Sequence, residues 1–359
     1  MRILFSPGWR ILFWPLSLVM HLVSRCRNFC YQYGIFKSSS VSACTISVGN
    51  ISVGGTGKTP TIIALAEFFH SKGKRVAVIS RGYGRKSKGL FVVSDGKKIM
   101  CDIDQAGDEP FLIAQQATGV SVIVAEDRII GARHAINVFH SEIILLDDAF
   151  QHRRMRRDID IVLIDTKRLK NNASLLPAGP YREGIRQLNR AHFTLLVSRD
   201  GKVPSDINAV MKKLRNITEG SIGNADISPK WLWFPKENNR ESLSIFLNKK
   251  VIIVSGIGQP HILKQFVHNQ GAQILESFDF EDHHDYCTED VRVITDKANQ
   301  CKADFIITTA KDWVKLHDKL HPSMPVAIPE LSVMFPENFE MELWNKITAI
   351  DFNKKIKDT

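Results

Sequence analysis

Apolar positions along the chain follow two rhythms. Some runs are β-branched or unbroken and read as buried strands: ACTISVGN (43–50), RVAVIS (75–80), Ile143 to Leu146, KKVIIVSG (249–256) and ADFIITT (303–309). Others repeat at helical spacing. In PTIIALAEFFHSKG, Ile62, Leu65, Ala66 and Phe69 share one face, and Gly73 stops the helix. Strands alternating with helices predict an α/β fold. The strand-like KWLWF (230–234) stands inside a polar stretch that marks a boundary between two α/β lobes. The expected organisation is an N-terminal helix region (1–40), a first lobe (41–220), a linker (221–245), a second lobe (246–325), and a strand and amphipathic helix (326–359) returning to the first lobe. No period of 20 to 50 residues is visible, so repeat architectures are excluded.

Composition supports globular cores: 359 residues, 44% hydrophobic and 24% charged. Charge adds something the pattern does not. The formal net charge is +10, and no acidic residue precedes Glu67, whereas Arg2, Arg10, Arg25, Arg27, Lys37 and Lys58 do. A basic chain favours anionic partners: nucleic acid, an acidic membrane surface or a phosphorylated substrate. ILFWPLSLVMHLVS (11–24) is uncharged and lies between Arg10 and Arg25. It is shorter than the roughly 20 residues a membrane span needs. Trp14 and the flanking arginines suit a helix lying in the membrane interface. An ordinary buried helix is the alternative, and no convincing signal-peptide cleavage site follows. Six scattered cysteines without a CxxC pair point to a reducing compartment and argue against zinc.

Between the strand at 43–50 and the helix after it stands SVGGTGKT. A glycine-rich loop in that position turns backbone N–H groups toward an anion, and the helix N-terminus adds partial positive charge. The cradle comprises Gly49, Asn50, Ser52, Val53, Gly54, Gly55, Thr56, Gly57, Lys58 and Thr59. Lys58 would reach the β- and γ-phosphates of ATP, and the Thr59 hydroxyl would ligate Mg²⁺. The common pattern would have Gly where this chain has Ser52. The remaining GGTGKT resembles the deviant loop of the MinD-like group, which carries a lysine at the position of Val53. Asp147 and Asp148, at the end of an apolar strand, are placed to hold the metal and a water or neighbour.

Other polar clusters also sit at predicted strand ends. Asp108, Glu109 and Pro110 begin a helix, where helix capping is the plain reading. RGYGRK (81–86) suits either a phosphate-touching loop or a tight turn, and LLPAGPYREG (175–184) is a rigid loop carrying Arg182 and Glu183. HRRMRR (152–157) is either a solvated basic face or a holder of an anionic head group. Asp282, His283 and His284 follow a strand, and one histidine near a carboxylate could serve acid–base work. Thr309, Lys311 and Asp312 end another strand.

Taken in order, SVGNISVGGTGKTP, SRGYGR, GDEP, LLDDAFQH, LPAGPYRE, DFEDHH and TTAKD resemble the tetraacyldisaccharide 4'-kinase family of lipid A biosynthesis. The resemblance runs from the N-terminal helix to beyond residue 310. It implies two α/β/α lobes joined by a β-ribbon, the first a P-loop kinase lobe, with an N-terminal helix at the cytoplasmic face of the bacterial inner membrane. It implies transfer of the ATP γ-phosphate, with Mg²⁺, to the 4'-hydroxyl of an acylated glucosamine disaccharide 1-phosphate, giving lipid IV_A. Asp108 and His283 would form the catalytic pair with Lys58, and Asp147 and Asp148 the metal-side acids. Arg81, Tyr83, Arg85, Gln151, His152, Arg182 and Glu183 lie in the matching motifs and are substrate-facing candidates. The protein is expected to be a monomer that binds no nucleic acid. A MinD-like membrane ATPase switch is the alternative, weakened by Val53. A nucleic-acid-binding ATPase is a further one, weakened by the lack of aromatic stacking motifs beside the charge.

Overall fold

The structure is a computed structural model. It describes residues 7–166, 174–199 and 206–357, with the side chains of 7–10 and 351–357 outside the description. Arg2 and the Arg10 side chain therefore lie outside the described residues. In chain order the elements are α1 (Pro7–Gln32), β1 (Cys44–Asn50), α2 (Lys58–Ser71), β2 (Val76–Ser80), β3 (Phe91–Asp95), α3 (Ile103–Ala106), α4 (Asp108–Gln116), β4 (Ser121–Val124), α5 (Arg128–Phe139), β5 (Ile143–Asp147), β6 (Ile159–Asp165), β7 (Phe193–Ser198) and α6 (Ile207–Arg215). There follow β8 (Ser221–Phe234), β9 (Asn239–Ser242), β10 (Lys250–Ser255), α7 (Pro260–Asn269), β11 (Gln273–Asp279), α8 (Thr288–Cys301), β12 (Phe305–Thr308), α9 (Ala310–Leu316), β13 (Val326–Met334) and α10 (Phe339–Lys357).

Among the described residues the strands form one mixed sheet in the order β11-β10-β12-β13-β8-β7-β6-β1-β5-β2-β4-β3, with β9 on β8. The run from β8 to β4 is parallel, and so is the run from β11 to β13. Buried parallel strands need apolar side chains on both faces, which explains the unbroken runs: every residue of β1, β2, β5 and β6 is buried. Within each parallel run the C-terminal strand ends lie together, where α/β sheets bind ligands; the two runs have opposite senses, because β8 and β13 pair antiparallel.

β8 and β13 connect the two ends of the sheet. The first half of β8, Ser221–Asp226, pairs in parallel with β7, and Asp226–Trp233 pairs antiparallel with β13. The start of β13 instead joins β12. Residues 221–226, inside the stretch read as linker, are thus an inner strand. Their polar, partly exposed side chains hid it.

Each end of the sheet has its own cores. Ile62, Leu65, Ala66 and Phe69 of α2 pack on β1 and β5, together with Phe339, Leu343 and Ile347 of α10. At the other end, Val251, Ile253, Phe246, Phe266 and Ile307 form one cluster, and Ile252, Val254, Ile294 and Ile306 another. Leu343 is fully buried. Leu343→Ala is expected to lower the unfolding free energy by about 2–5 kcal/mol, measured by urea titration; a cost under about 0.5 kcal/mol would mean that α10 does not complete this core.

Candidate active site

β1 ends in the glycine loop because two positions there exclude side chains. A Cβ on Gly49 would lie 2.7 Å from that of Phe150. Gly57, just before α2, has φ 89° and a space that Ile227 fills. Asn50 donates to the Thr56 hydroxyl at 2.8 Å and so braces the loop across its width. Among the described residues the N–H groups of Gly54, Gly55 and Gly57 carry no hydrogen bond, which leaves them for an anion at the start of α2. Val53 differs: its N–H donates to the Pro180 carbonyl, and Ser52 is bridged to Tyr181. These two residues anchor the loop rather than open it. Lys58 and Thr59 occupy the first turn of α2.

β5 is the neighbour of β1, so its C-terminal acids arrive beside the loop; Val48 is opposite Asp147. Asp147 is 3% exposed. Its Oδ2 accepts from the Ser80 hydroxyl at 2.8 Å, and its Oδ1 has no partner. Burial, with Glu109 and Asp148 nearby, pushes its carboxyl up to about 7. Asp148 sits in the left-handed region at φ 46°, which turns its side chain away from the strand's alternation. Its Oδ2 accepts from Arg182 at 2.7 Å, and its Oδ1 lies 3.7 Å from Lys58 Nζ with no hydrogen bond. For Asp148 burial works upward, but Lys58 and Arg182 outweigh it and hold the carboxyl below its ordinary value. The two acids therefore differ at neutral pH, and each keeps one buried oxygen free of hydrogen bonds.

α4 packs against α2 and α9 and carries Asp108 at its first position. Asp108 caps nothing; Gly107 precedes the helix without a side-chain cap. Instead its Oδ2 is met by two distant groups, hydrogen-bonded to His283 Nδ1 at 3.0 Å and ion-paired with Lys315 Nζ at 2.7 Å. Burial works to raise its pKa, but these two partners outweigh it and leave it lowered. Its Oδ1 has no hydrogen bond among the described residues. His283 reaches this place from the loop after β11 with φ 67°, and the Tyr83 ring lies 5.6 Å from its imidazole. His284 turns away, bonding Asp290 at 2.9 Å and stacking on Phe280.

The remaining candidates divide. Gln151 donates to the Asn50 carbonyl at 2.8 Å and to Glu183 at 3.3 Å. Glu183 is 1% exposed and is ringed by donors: Arg27 and Asn28 of α1 on one oxygen, Arg190 and Gln151 on the other. His152 is pushed down to about 4 by burial and by Arg128 and Arg157, so it is neutral at neutral pH, and its Nε2 is unpartnered. Tyr83 is 74% exposed at the mouth of the site. Arg81 is exposed and makes no hydrogen bond among the described residues. Arg85 does not face the site as a free cation. Its guanidinium is buried on Glu126, Gly89 and Ser87 and pins its own loop.

Sequence reading missed Arg128, Ser80 and Lys315. Arg128 is buried at the start of α5, held by the Glu126 carbonyl and felt by Asp147 and Asp148. A cation at a strand-to-helix junction on the ligand edge was the available signal. Lys315 had none, because it reads as a solvated helix lysine.

A family model described as Tetraacyldisaccharide-1-P 4'-kinase matches residues 9–348. The Tetraacyldisaccharide 4'-kinase of Syntrophotalea carbinolica is 35% identical over 344 residues, covering 95% of this chain and 92% of that one. That of Syntrophus aciditrophicus is 36% identical over 303 residues, covering 81% and 80%. The fold is similar to LpxK from Aquifex aeolicus, solved in complex with ATP: TM-score 0.73, 29% identity, 96% of this chain and 99% of that chain.

Asp147 gives a pH prediction. Its carboxyl sits at 3.8 unfolded and about 7 folded. Its contribution to stability is present below the lower value and is lost as pH rises through the upper one. Asp147→Asn should therefore stabilise the metal-free chain more at pH 8 than at pH 5, by about 2–3 kcal/mol. Equal gains at both pH values in chemical denaturation would contradict the burial of a charge there.

Proposed function

The chain belongs to the tetraacyldisaccharide 4'-kinase family, and we propose that it transfers the γ-phosphate of ATP to the 4'-hydroxyl of an acylated glucosamine disaccharide 1-phosphate. This sets aside an ATPase switch and a nucleic-acid-dependent ATPase. The observation that carries the reading is Asp108: a carboxylate held on one oxygen by His283 and Lys315 and open on the other, on a helix packed against the one that begins with Lys58.

A sugar hydroxyl is a poor nucleophile, and phosphoryl transfer gains from a base that accepts its proton as the bond to phosphorus forms. Asp108 Oδ1 takes that proton, and the His283–Asp108 hydrogen bond keeps the carboxylate oriented. The loop amides and Lys58 hold the β- and γ-phosphates and balance the charge that develops on the transferred group. Mg²⁺ fits the remaining groups. Magnesium is commonly held by one or two carboxylates and substrate phosphates, and the oxygens of Asp147 and Asp148 that carry no hydrogen bond stand beside the Thr59 turn. When bound, the metal would neutralise charge on the phosphates. Neutral His152, Arg81 and Tyr83 are left for the disaccharide and its 1-phosphate, while Gln151, its amide N–H groups spent on Asn50 and Glu183, offers its carbonyl oxygen.

We read the two ends of the sheet as two lobes hinged on β8 and β13, and the protein as acting as a monomer. Among the described residues no helix is long and apolar enough to cross a membrane. α1 nevertheless exposes Ile11, Leu12, Trp14, Leu18 and Leu22, while its other side is stitched to the 175–183 loop by Ser17 and Asn28. That geometry supports a helix seated in the cytoplasmic leaflet of the inner membrane, where an acylated substrate resides.

With ATP, Mg²⁺ and the disaccharide lipid in detergent, the wild-type chain should give a phosphorylated lipid, and Lys58→Ala should give none. Asp108→Ala should lower kcat about 10²- to 10⁴-fold with ATP affinity unchanged; a variant with normal turnover removes the base assignment. Leu18→Asp with Leu22→Asp should reduce co-sedimentation with anionic vesicles at least about tenfold; unchanged binding would place the membrane surface elsewhere.

A further inference from the structure

α9 places two lysines one turn apart on one face, and both are spent on the Asp108–His283 pair. Lys315 Nζ lies 2.7 Å from Asp108 Oδ2, 2.9 Å from the His283 carbonyl and 3.1 Å from the His284 carbonyl. An ammonium has three donors and no acceptor: two N–H groups go to the carbonyls, and the charge pairs with the carboxylate. Both side chains of that ion pair are largely buried, at 13% and 12% exposure. Lys311 Nζ lies 3.0 Å from Asp282 Oδ1 and 3.0 Å from His283 Nε2. A donor-only group there makes Nε2 the acceptor. The imidazole proton is then on Nδ1, which donates it to Asp108 Oδ2.

α9 itself is held on both sides. Val314 is buried in the same core as Phe111 and Ile113 of α4. Asp312 is buried and accepts from the Gly256 N–H, the Tyr286 hydroxyl and the Thr309 hydroxyl. The lysines therefore project from a fixed frame. The loop they hold needs such a frame, because His283 is a non-glycine residue in left-handed backbone.

We propose that Lys315 is a positioning residue: it ties the start of α4 to the His283 loop and directs Asp108 Oδ1 at the sugar hydroxyl, while Lys311 fixes the tautomer of His283. This rests on the reading of Asp108 as proton acceptor.

The test is steady-state kinetics on full-length protein with ATP and the disaccharide lipid. Lys315→Met should lower kcat about 10- to 100-fold, the scale of a misplaced reacting group. The lipid KM and the ATP dissociation constant should stay within about twofold. Lys315→Cys should be equally slow, and alkylation with 2-bromoethylamine, which rebuilds an ammonium at the same reach, should return most of the lost kcat. Wild type treated identically controls for the six native cysteines. Lys315→Met with kcat within twofold of wild type overturns the inference. So does loss of ATP binding in both variants, or a Lys315→Cys chain that alkylation does not revive. If wild type itself leaves the lipid unphosphorylated, the functional reading fails; if wild type is active and Lys315→Met matches it, only the positioning role fails.

Discussion

A single hydrogen bond joins residues 175 positions apart, Asp108 at the head of α4 and His283 in the loop after β11. The proposed chemistry depends on those two arriving together. The sheet makes it possible. β8 and β13, paired antiparallel, join its two ends, and a carboxylate from the side of one parallel array meets an imidazole from the side of the other. Neither group alone is unusual. Together with Lys315 they make a carboxylate that is buried, charged and half-occupied, a state that costs free energy unless it is paired.

The phosphate end of the site works by contrast. Asp147 and Asp148 are adjacent in sequence and opposite in behaviour: one is pushed toward neutrality by burial, the other is kept ionised by Lys58 and Arg182. Two like charges so close would not coexist at low cost without a cation between them and the solvent. Behind them, buried Glu183 links α1 to the glycine loop through Gln151 and Asn50. The helix with the exposed apolar face is thus continuous, bond by bond, with the cradle for phosphate.

Much of this was legible from sequence, for reasons tied to particular residues. Unbroken apolar runs gave the parallel strands, and the glycine loop was recognisable because it stands between a strand and a helix. Asp108 was ambiguous: an acid at a helix start is ordinarily a cap, and only the fold shows that it points at His283. Arg85 looked like a phosphate ligand and is a structural pin, because Glu126 returns to it from the end of β4. Ser221–Asp226 was too polar to announce an inner strand. Lys315 was invisible because its role depends on the placement of β12 beside β10 and on the packing of α9 against α4, neither of which is local.

The most direct measurement is a crystal structure of the chain with a non-hydrolysable ATP analogue and the disaccharide lipid. The 4'-hydroxyl should lie within about 2.6–3.2 Å of Asp108 Oδ1, with the terminal phosphate held by Lys58 and the amides of Gly54, Gly55 and Gly57. A triphosphate bound elsewhere, or a sugar hydroxyl facing a different base while Asp108 turns away, would contradict it.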